Sequence, residues 1–223
     1  MSEKISYENI DDVALVTLDD GKANAFGHEF IASFNANLER AEKEAKATAI
    51  IGRPGLLSGG FDLSVINGGD AADINRMVNA GGRLIMRLYA HPQPLIIGAT
   101  GHAVALGAFM LLAGDHRVGA DGDFKIGLNE TAIGLNLPEF GMALARERLS
   151  KRHLTQATLG ATLYDPQTAC DIGYLDEVSS TSTLREAVLE RAQAMAKLDG
   201  PAFAKSKDTL RGETIRQVLS GLD

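Results

Sequence analysis

Glu130 stands in the segment IGLNETAIG, between two apolar runs, with Asn129 as its one near polar neighbour. An ionised carboxylate in such a setting costs free energy unless it is paired or used. Partial burial raises a carboxyl pKa toward neutrality, where the group serves as a general base. The same residues also fit an Asn-Glu-Thr helix cap with Glu130 on the surface of a first turn. A second stretch, IIGATGHAVALGAFMLLAGD from Ile96 to Asp115, reads as strand, tight turn and buried helix. Gly101, Ala103, Ala105, Gly107 and Ala108 leave little side chain around the helix start. Another backbone or a ligand can therefore approach its unpaired N–H groups, and a helix N-terminus favours developing negative charge. A core helix packed closely against a sheet has the same composition.

Other chemistry-bearing patterns are absent. No P-loop, HExxH, paired CxxC or G-x-S-x-G elbow occurs in the sequence. The histidines at 28, 91, 102, 116 and 153 lack metal-ligand spacing, so no metal site is expected; His102, beside the helix start, keeps a role in the site open. Asp62, in LLSGGFDLSVI, suits anchoring of its glycine-bearing loop through nearby N–H groups. The single cysteine, Cys170 in PQTACDIG, reads as a small buried residue with no catalytic role.

The elements that must position these residues alternate. Ser6 to Leu18 reads as a β-hairpin closed off by Asp19-Asp20-Gly21, and Phe30, Ile31, Phe34 and Leu38 recur at helical spacing. A short strand at Thr48–Gly52 leads into the LLSGGFDLSVI loop, and Ala71 to Leu88 forms a second amphipathic helix ended by His91-Pro92-Gln93-Pro94. A strand near Arg117–Ala120 follows. From Met142 the chain is mostly helical, with a β-rich piece at Leu175–Ser179 and a last helix from Pro201. Strands separated by helices indicate an α/β fold, and no sequence repeat of 20 to 50 residues is evident.

With 223 residues, 45% hydrophobic and 23% charged, the chain suits one domain with a substantial core. The apolar run Ala103–Ala113 falls short of the roughly 20 residues that span a bilayer. The start, MSEKISYENIDDV, is acidic with no apolar core, so the expected location is cytoplasmic. A net charge of −7 argues against general binding to nucleic acid or an anionic membrane.

Four segments, through their order and intervals, resemble the crotonase (enoyl-CoA hydratase/isomerase) superfamily along nearly the whole chain. They are KANAF after the first strand pair, LLSGGFDL, GHAVALGAFMLLAGD and IGLNETAIG. The resemblance implies a spiral of repeated ββα units over residues 1–175. A helical C-terminal region, 176–223, would be part of the same domain or a trimerisation element. It also implies a role in fatty-acid metabolism, with an acyl-CoA thioester whose oxygen is held by the backbone N–H groups of Phe61 and Leu106. One such donor is worth about 3 kcal/mol of transition-state stabilisation. By the same resemblance, CoA runs near Lys22, Ala23, Ser58 and Gly59, with Lys22 or Arg53 toward its phosphates and Asp62 and Phe109 at the substrate site. CoA enters as part of the substrate, no permanently bound cofactor is implied, and the assembly is a homotrimer or hexamer. RNA binding, known for some relatives, sits poorly with the acidic balance.

Members that hydrate a double bond place two glutamates about the attacking water, the first three residues after the helix-start donor. Here that position is Phe109, and the second glutamate is kept as Glu130. A single carboxylate against an apolar wall suits proton movement, and GLNET resembles the Δ3,Δ2-enoyl-CoA isomerase branch. A hydratase or another CoA-thioester reaction, with Glu139 or His102 replacing the missing glutamate, is the enzymatic alternative. A non-catalytic acyl-CoA-binding or scaffolding protein is the other. Phe61 and Leu106 are bulkier than the small residues usual at their positions, and the C-terminal stretch is shorter than usual, implying a missing or reduced tail helix.

Overall fold

The computed structural model describes residues 4–222, so the first three residues of the acidic N-terminal stretch and the last of the C-terminal region lie outside it. Asp11 and Asp12 take φ of 48° and 66°, the left-handed pair of a tight hairpin turn. They join β1 (Ile5–Ile10) to β2 (Val13–Leu18), with Ile10 opposite Val13. Helix α1 (His28–Glu44) buries Phe30, Ile31, Phe34, Leu38 and Ala41, the stripe its spacing predicts, and β3 (Ala47–Gly52) then pairs parallel to β2.

From β3 onward one unit recurs. β3 and β4 (Gly55–Ser58) precede α2 (Leu63–Gly68) and α3 (Ala71–Ala90). β5 (Leu95–Ala99) and β6 (Gly101–Val104) precede α4 (Leu106–Ala113). β7 (His116–Ala120) and β8 (Ile126–Gly127) precede a 3-10 turn, Glu130–Ile133, and α5 (Glu139–Arg148). The first strand of each pair enters a six-stranded sheet, completed by β9 (Glu177–Ser179), in the order β1-β2-β3-β5-β7-β9. The second enters a three-stranded parallel sheet, β4-β6-β8. The expected α/β spiral of ββα units is therefore the fold. Its units begin at Ala47, Leu95 and His116, intervals too unequal to show as a sequence period.

Two local expectations are corrected. The LLSGGFDLSVI stretch is not all loop: its ends are β4 and α2. In the Gly-rich stretch the helix starts at Leu106 rather than Ala103, because Gly101–Val104 is a strand held between β4 and β8. Glycine lets that strand close in, since a Cβ on Gly101 would lie 2.0 Å from the Gly55 carbonyl oxygen.

Helices α6 (Leu154–Thr158), α7 (Pro166–Ile172), α8 (Leu184–Met195) and α9 (Gly200–Leu219) complete the chain. The large sheet is buried on both faces. Phe34, Leu38, Ile50, Leu84 and Ile97 belong to the main core, whereas Leu184, Val188 and Ala192 of α8 cover Leu15, Ala49, Ile96 and Val118 on the other face.

The last helix, expected from Pro201, is α9, 20 residues long and docked on α3. Its anchor is ionic. Lys207 Nζ donates to Asp115 Oδ2 (2.6 Å) and to the carbonyls of His91 (2.6 Å) and Gln93 (2.9 Å). Arg211 reaches Asp115 Oδ1 (2.9 Å) and the Tyr89 carbonyl (3.1 Å). Burial pushes the Lys207 pKa down to about 8 against the pull of Asp115. Removing one member of a buried ion pair leaves an uncompensated charge, so Asp115→Asn is expected to cost about 3–5 kcal/mol by urea denaturation. A loss below about 1 kcal/mol, the scale of an exposed pair, would show that this cluster does not dock α9.

Candidate active site

The start of α4 is set by Ala105, whose φ of 54° and ψ of −117° are unusual for a residue with a Cβ. Ala105 N donates to the Gly127 carbonyl (3.1 Å), tying the helix start to β8. Its own carbonyl accepts from Ala108 N (2.9 Å) and Phe109 N (3.0 Å), leaving the N–H groups of Leu106 and Gly107 as the free ones of the first turn.

The facing loop is held by a parallel bridge between Phe26 and Phe61. Its bonds run from Phe26 N to the Gly60 carbonyl (2.9 Å) and from Asp62 N to the Phe26 carbonyl (3.4 Å). In such a bridge the middle residue's own N–H and C=O point away from the partner strand. Gly60 lies against α4: with φ of 111°, it would place a Cβ 3.1 Å from the Ala105 Cβ and 3.8 Å from Leu106 N. The loop thus brings the Phe61 main chain beside the Leu106 amide. Among the described residues neither N–H has a protein acceptor. The bulk of the two side chains goes elsewhere, the Phe61 ring onto Gly81 of α3 and Leu106 into the core.

Glu130 opens the 3-10 turn three residues after Gly127, the residue bonded to Ala105, so β8 delivers the carboxylate to the neighbourhood of the same helix start. It is 6% exposed, and its buried Oε2 has no hydrogen-bond partner. Burial raises its pKa, opposed by the backbone N–H groups of Glu130 and Asn129. The Asn129 side chain caps nothing. Of the two readings of NET, the surface cap is therefore excluded, because a surface glutamate would be solvated. Beneath the segment, Tyr164 N and Ile126 N exchange bonds with each other's carbonyls (2.9 Å each), fixing β8 from its second side.

The remaining candidates divide. Asp62 caps α2, accepting from Ser64 N (2.8 Å) and Ser64 Oγ (2.6 Å), which lowers its pKa; it anchors the loop. Lys22, Ala23 and Gly59 are exposed, joined by Gly59 N donating to the Ala23 carbonyl (2.9 Å). Arg53 donates through Nε to the Lys22 carbonyl (2.8 Å). Ser58, whose backbone the resemblance sets along CoA, is fully buried, its hydroxyl taken up by the Asn24 carbonyl and Gly60 N. Phe109 is 1% exposed, its ring wedged over Gly141 and edge-on to Phe140 at 5.4 Å. His102 Nδ1 accepts from Lys125 N (2.9 Å), and Glu139 is exposed in the first turn of α5 beside Gly221; neither is gathered to Glu130 by a bond. Asn24, inside KANAF, was not singled out by sequence reasoning; a polar residue between alanines was the available signal. Among the described residues no group of three or more His, Cys, Asp or Glu side chains is placed to hold a metal, and no helix is long and apolar enough to cross a membrane.

A family model described as enoyl-CoA hydratase/isomerase matches residues 8–221. The chain belongs to the enoyl-CoA hydratase/isomerase family. Among this family's proteins, the chain is similar to the mitochondrial enoyl-CoA delta isomerase 1 of Rattus norvegicus, 30% identical over 170 residues. That match covers 74% of this chain and 59% of the rat protein's own length. The crystal structure of an enoyl-CoA hydratase/isomerase family protein from Pseudomonas syringae superposes with a TM-score of 0.94 at 39% identity, covering 98% of this chain and 96% of that one. A probable enoyl-CoA hydratase from Mycobacterium tuberculosis gives 0.95 at 33% identity over 99% and 94%. The family expectation carried by the four sequence segments is thus borne out, with relatives named for both isomerisation and hydration.

Ala105 offers a direct test of the local geometry. Strain at such a position is about 1–3 kcal/mol, and glycine's extra chain entropy offsets roughly 0.5–1 kcal/mol of it. Ala105→Gly should therefore raise stability by about 1 kcal/mol in chemical denaturation, and a destabilised variant would show that the backbone here is not strained.

Proposed function

We propose that this family member moves the double bond of a 3-enoyl-CoA to the 2-position, with Glu130 as the single acid–base group. The observation that carries the reading is the buried Glu130 carboxylate, free of any partner at Oε2, three residues beyond the β8 residue that holds the helix start carrying the free Leu106 N–H. Ionised Glu130 takes the alpha proton from C2. The electron pair spreads through C1 onto the thioester oxygen and through the 3,4 double bond onto C4 as a dienolate, and the Phe61 and Leu106 N–H groups hold that oxygen. Glu130 then returns the proton to C4, so the 2,3 double bond forms with nothing else consumed.

Hydration would require activating a water and delivering a proton to the adjacent carbon, work that two carboxylates share. Here the Phe109 ring occupies the second position from within the core. The substrate reading rests on the family and on the exposed edge of Lys22, Ala23 and Gly59 as the path for CoA. Assembly as a homotrimer or hexamer is part of the proposal, and light scattering of the purified protein is expected to give a mass three or six times that of the chain.

Glu130→Gln should lower kcat for isomerisation by about 10²–10⁴-fold. Hydration that dominates and survives this substitution would sink the reading, and CoA-thioester binding without turnover, unaltered by the substitution, would favour a binding protein. Because the base must be ionised and burial holds its proton more tightly, kcat/KM should fall on the acid side at a pH above the ordinary glutamate value of about 4.3. Stability has the linked sign: a raised folded-state pKa contributes stability that is full below the unfolded pKa and is lost as pH rises through the folded one. Glu130→Gln should thus melt higher than the parent at pH 8, with the gap closing toward pH 4.

A further inference from the structure

Asn24 is fully buried with φ of 46°, a conformation asparagine tolerates when its side chain bonds locally. Nδ2 donates to the carbonyls of Leu18 (2.8 Å) and Leu57 (3.0 Å), while Oδ1 accepts from Asp20 N (2.9 Å). One side chain therefore ties the end of β2 to the end of β4. Its carbonyl accepts from Ser58 Oγ (2.8 Å), and that same oxygen accepts from Gly60 N (3.1 Å). The chain of bonds ends on the Gly60 N–H, one peptide before the one that carries the Phe61 N–H.

Ser58 uses both capacities of its hydroxyl, one proton and one lone pair, and is sealed under Gly107, whose Cβ would lie 2.5 Å from the Ser58 carbonyl oxygen. Without the hydroxyl, Gly60 N and the Asn24 carbonyl both lose a partner in the interior. Gly60 is also the residue pressed against Ala105 and Leu106, so any rotation of its peptide alters the spacing of the two free amides.

We propose that Ser58, fixed by Asn24, is a positioning residue that sets the Phe61 N–H against the Leu106 N–H. This rests on the reading of those amides as the thioester-oxygen site. Its effect then falls on the oxyanion, where developing charge is met, and not on CoA affinity.

The test uses the full chain with butyryl-CoA labelled with ¹³C at the thioester carbonyl, a saturated probe that cannot isomerise, followed by isotope-edited infrared spectroscopy. In the parent protein the bound carbonyl stretch should move to lower wavenumber than free butyryl-CoA. Ser58→Ala should lose at least about half of that displacement and about 10- to 100-fold in kcat, with the butyryl-CoA Kd changed by less than about threefold and unfolding still cooperative. Glu130→Gln should keep the displacement while losing turnover. Full displacement and kcat in Ser58→Ala would overturn the positioning role, as would lost affinity at unchanged kcat, which would make Ser58 a ligand contact. Absence of displacement in the parent would instead defeat the thioester-oxygen reading itself. Should Ser58→Ala not fold, Ser58→Cys, which keeps the volume with a weaker hydrogen bond, is expected to give an intermediate displacement; a displacement equal to the parent's would count against the proposal.

Discussion

The candidate site depends on the N–H groups of Phe61 and Leu106, which the fold leaves without a protein acceptor among the described residues. In a protein interior nearly every backbone donor is satisfied, so leaving two free at one place requires the surrounding chain to be over-determined. Leu106 is free because it opens a helix, and Phe61 because a bridge residue's own amide faces away from the bridge. The two come from successive turns of the spiral. They meet because β4 and β6 lie side by side in the small sheet, a contact that Gly101 and Gly107 permit by having no side chain at the crossing. The large sheet supplies rigidity, and the small one supplies the site.

The same economy governs the carboxylate. Glu130 is not brought to its place by a salt bridge or a charged partner. β8 carries it there, clamped between Ala103–Ala105 on one side and Tyr164 on the other. Its environment is apolar, and that environment adjusts its proton affinity without a second titrating group. Charges are buried elsewhere, at Asp115, Lys207 and Arg211, where they serve to dock a helix. The ionic anchor at Asp115 lies just past the end of α4, whereas β8 is tied to its start.

Much of this was legible in the chain. Amphipathic spacing located α1 and α3, β-branched runs located β2 and β3, and the small residues before Phe109 marked a helix start open to close approach. What could not be read was register and direction. β6 looked like the beginning of a helix because Ala103 and Val104 belong to an apolar run whose period is ambiguous over so few residues, and only pairing with β4 and β8 resolves it. That the Ser58 hydroxyl turns inward follows from the position of Asn24, far away in sequence. The Phe109 ring points to Gly141, which no local pattern around either residue announces.

The spiral also has a consequence for how the molecule comes to exist. Each turn adds one strand to each sheet, so the donor at Phe61, the donor at Leu106 and the carboxylate at Glu130 arise from three consecutive turns, and none has its final setting until the next is laid down. The anchor between Asp115 and α9 joins residues 92 apart in the chain. Such long-range closures come late and slowly in folding. A nascent or partly opened chain therefore holds sheet and helices while the three positions are still apart, and their coming together reports completion of the whole topology.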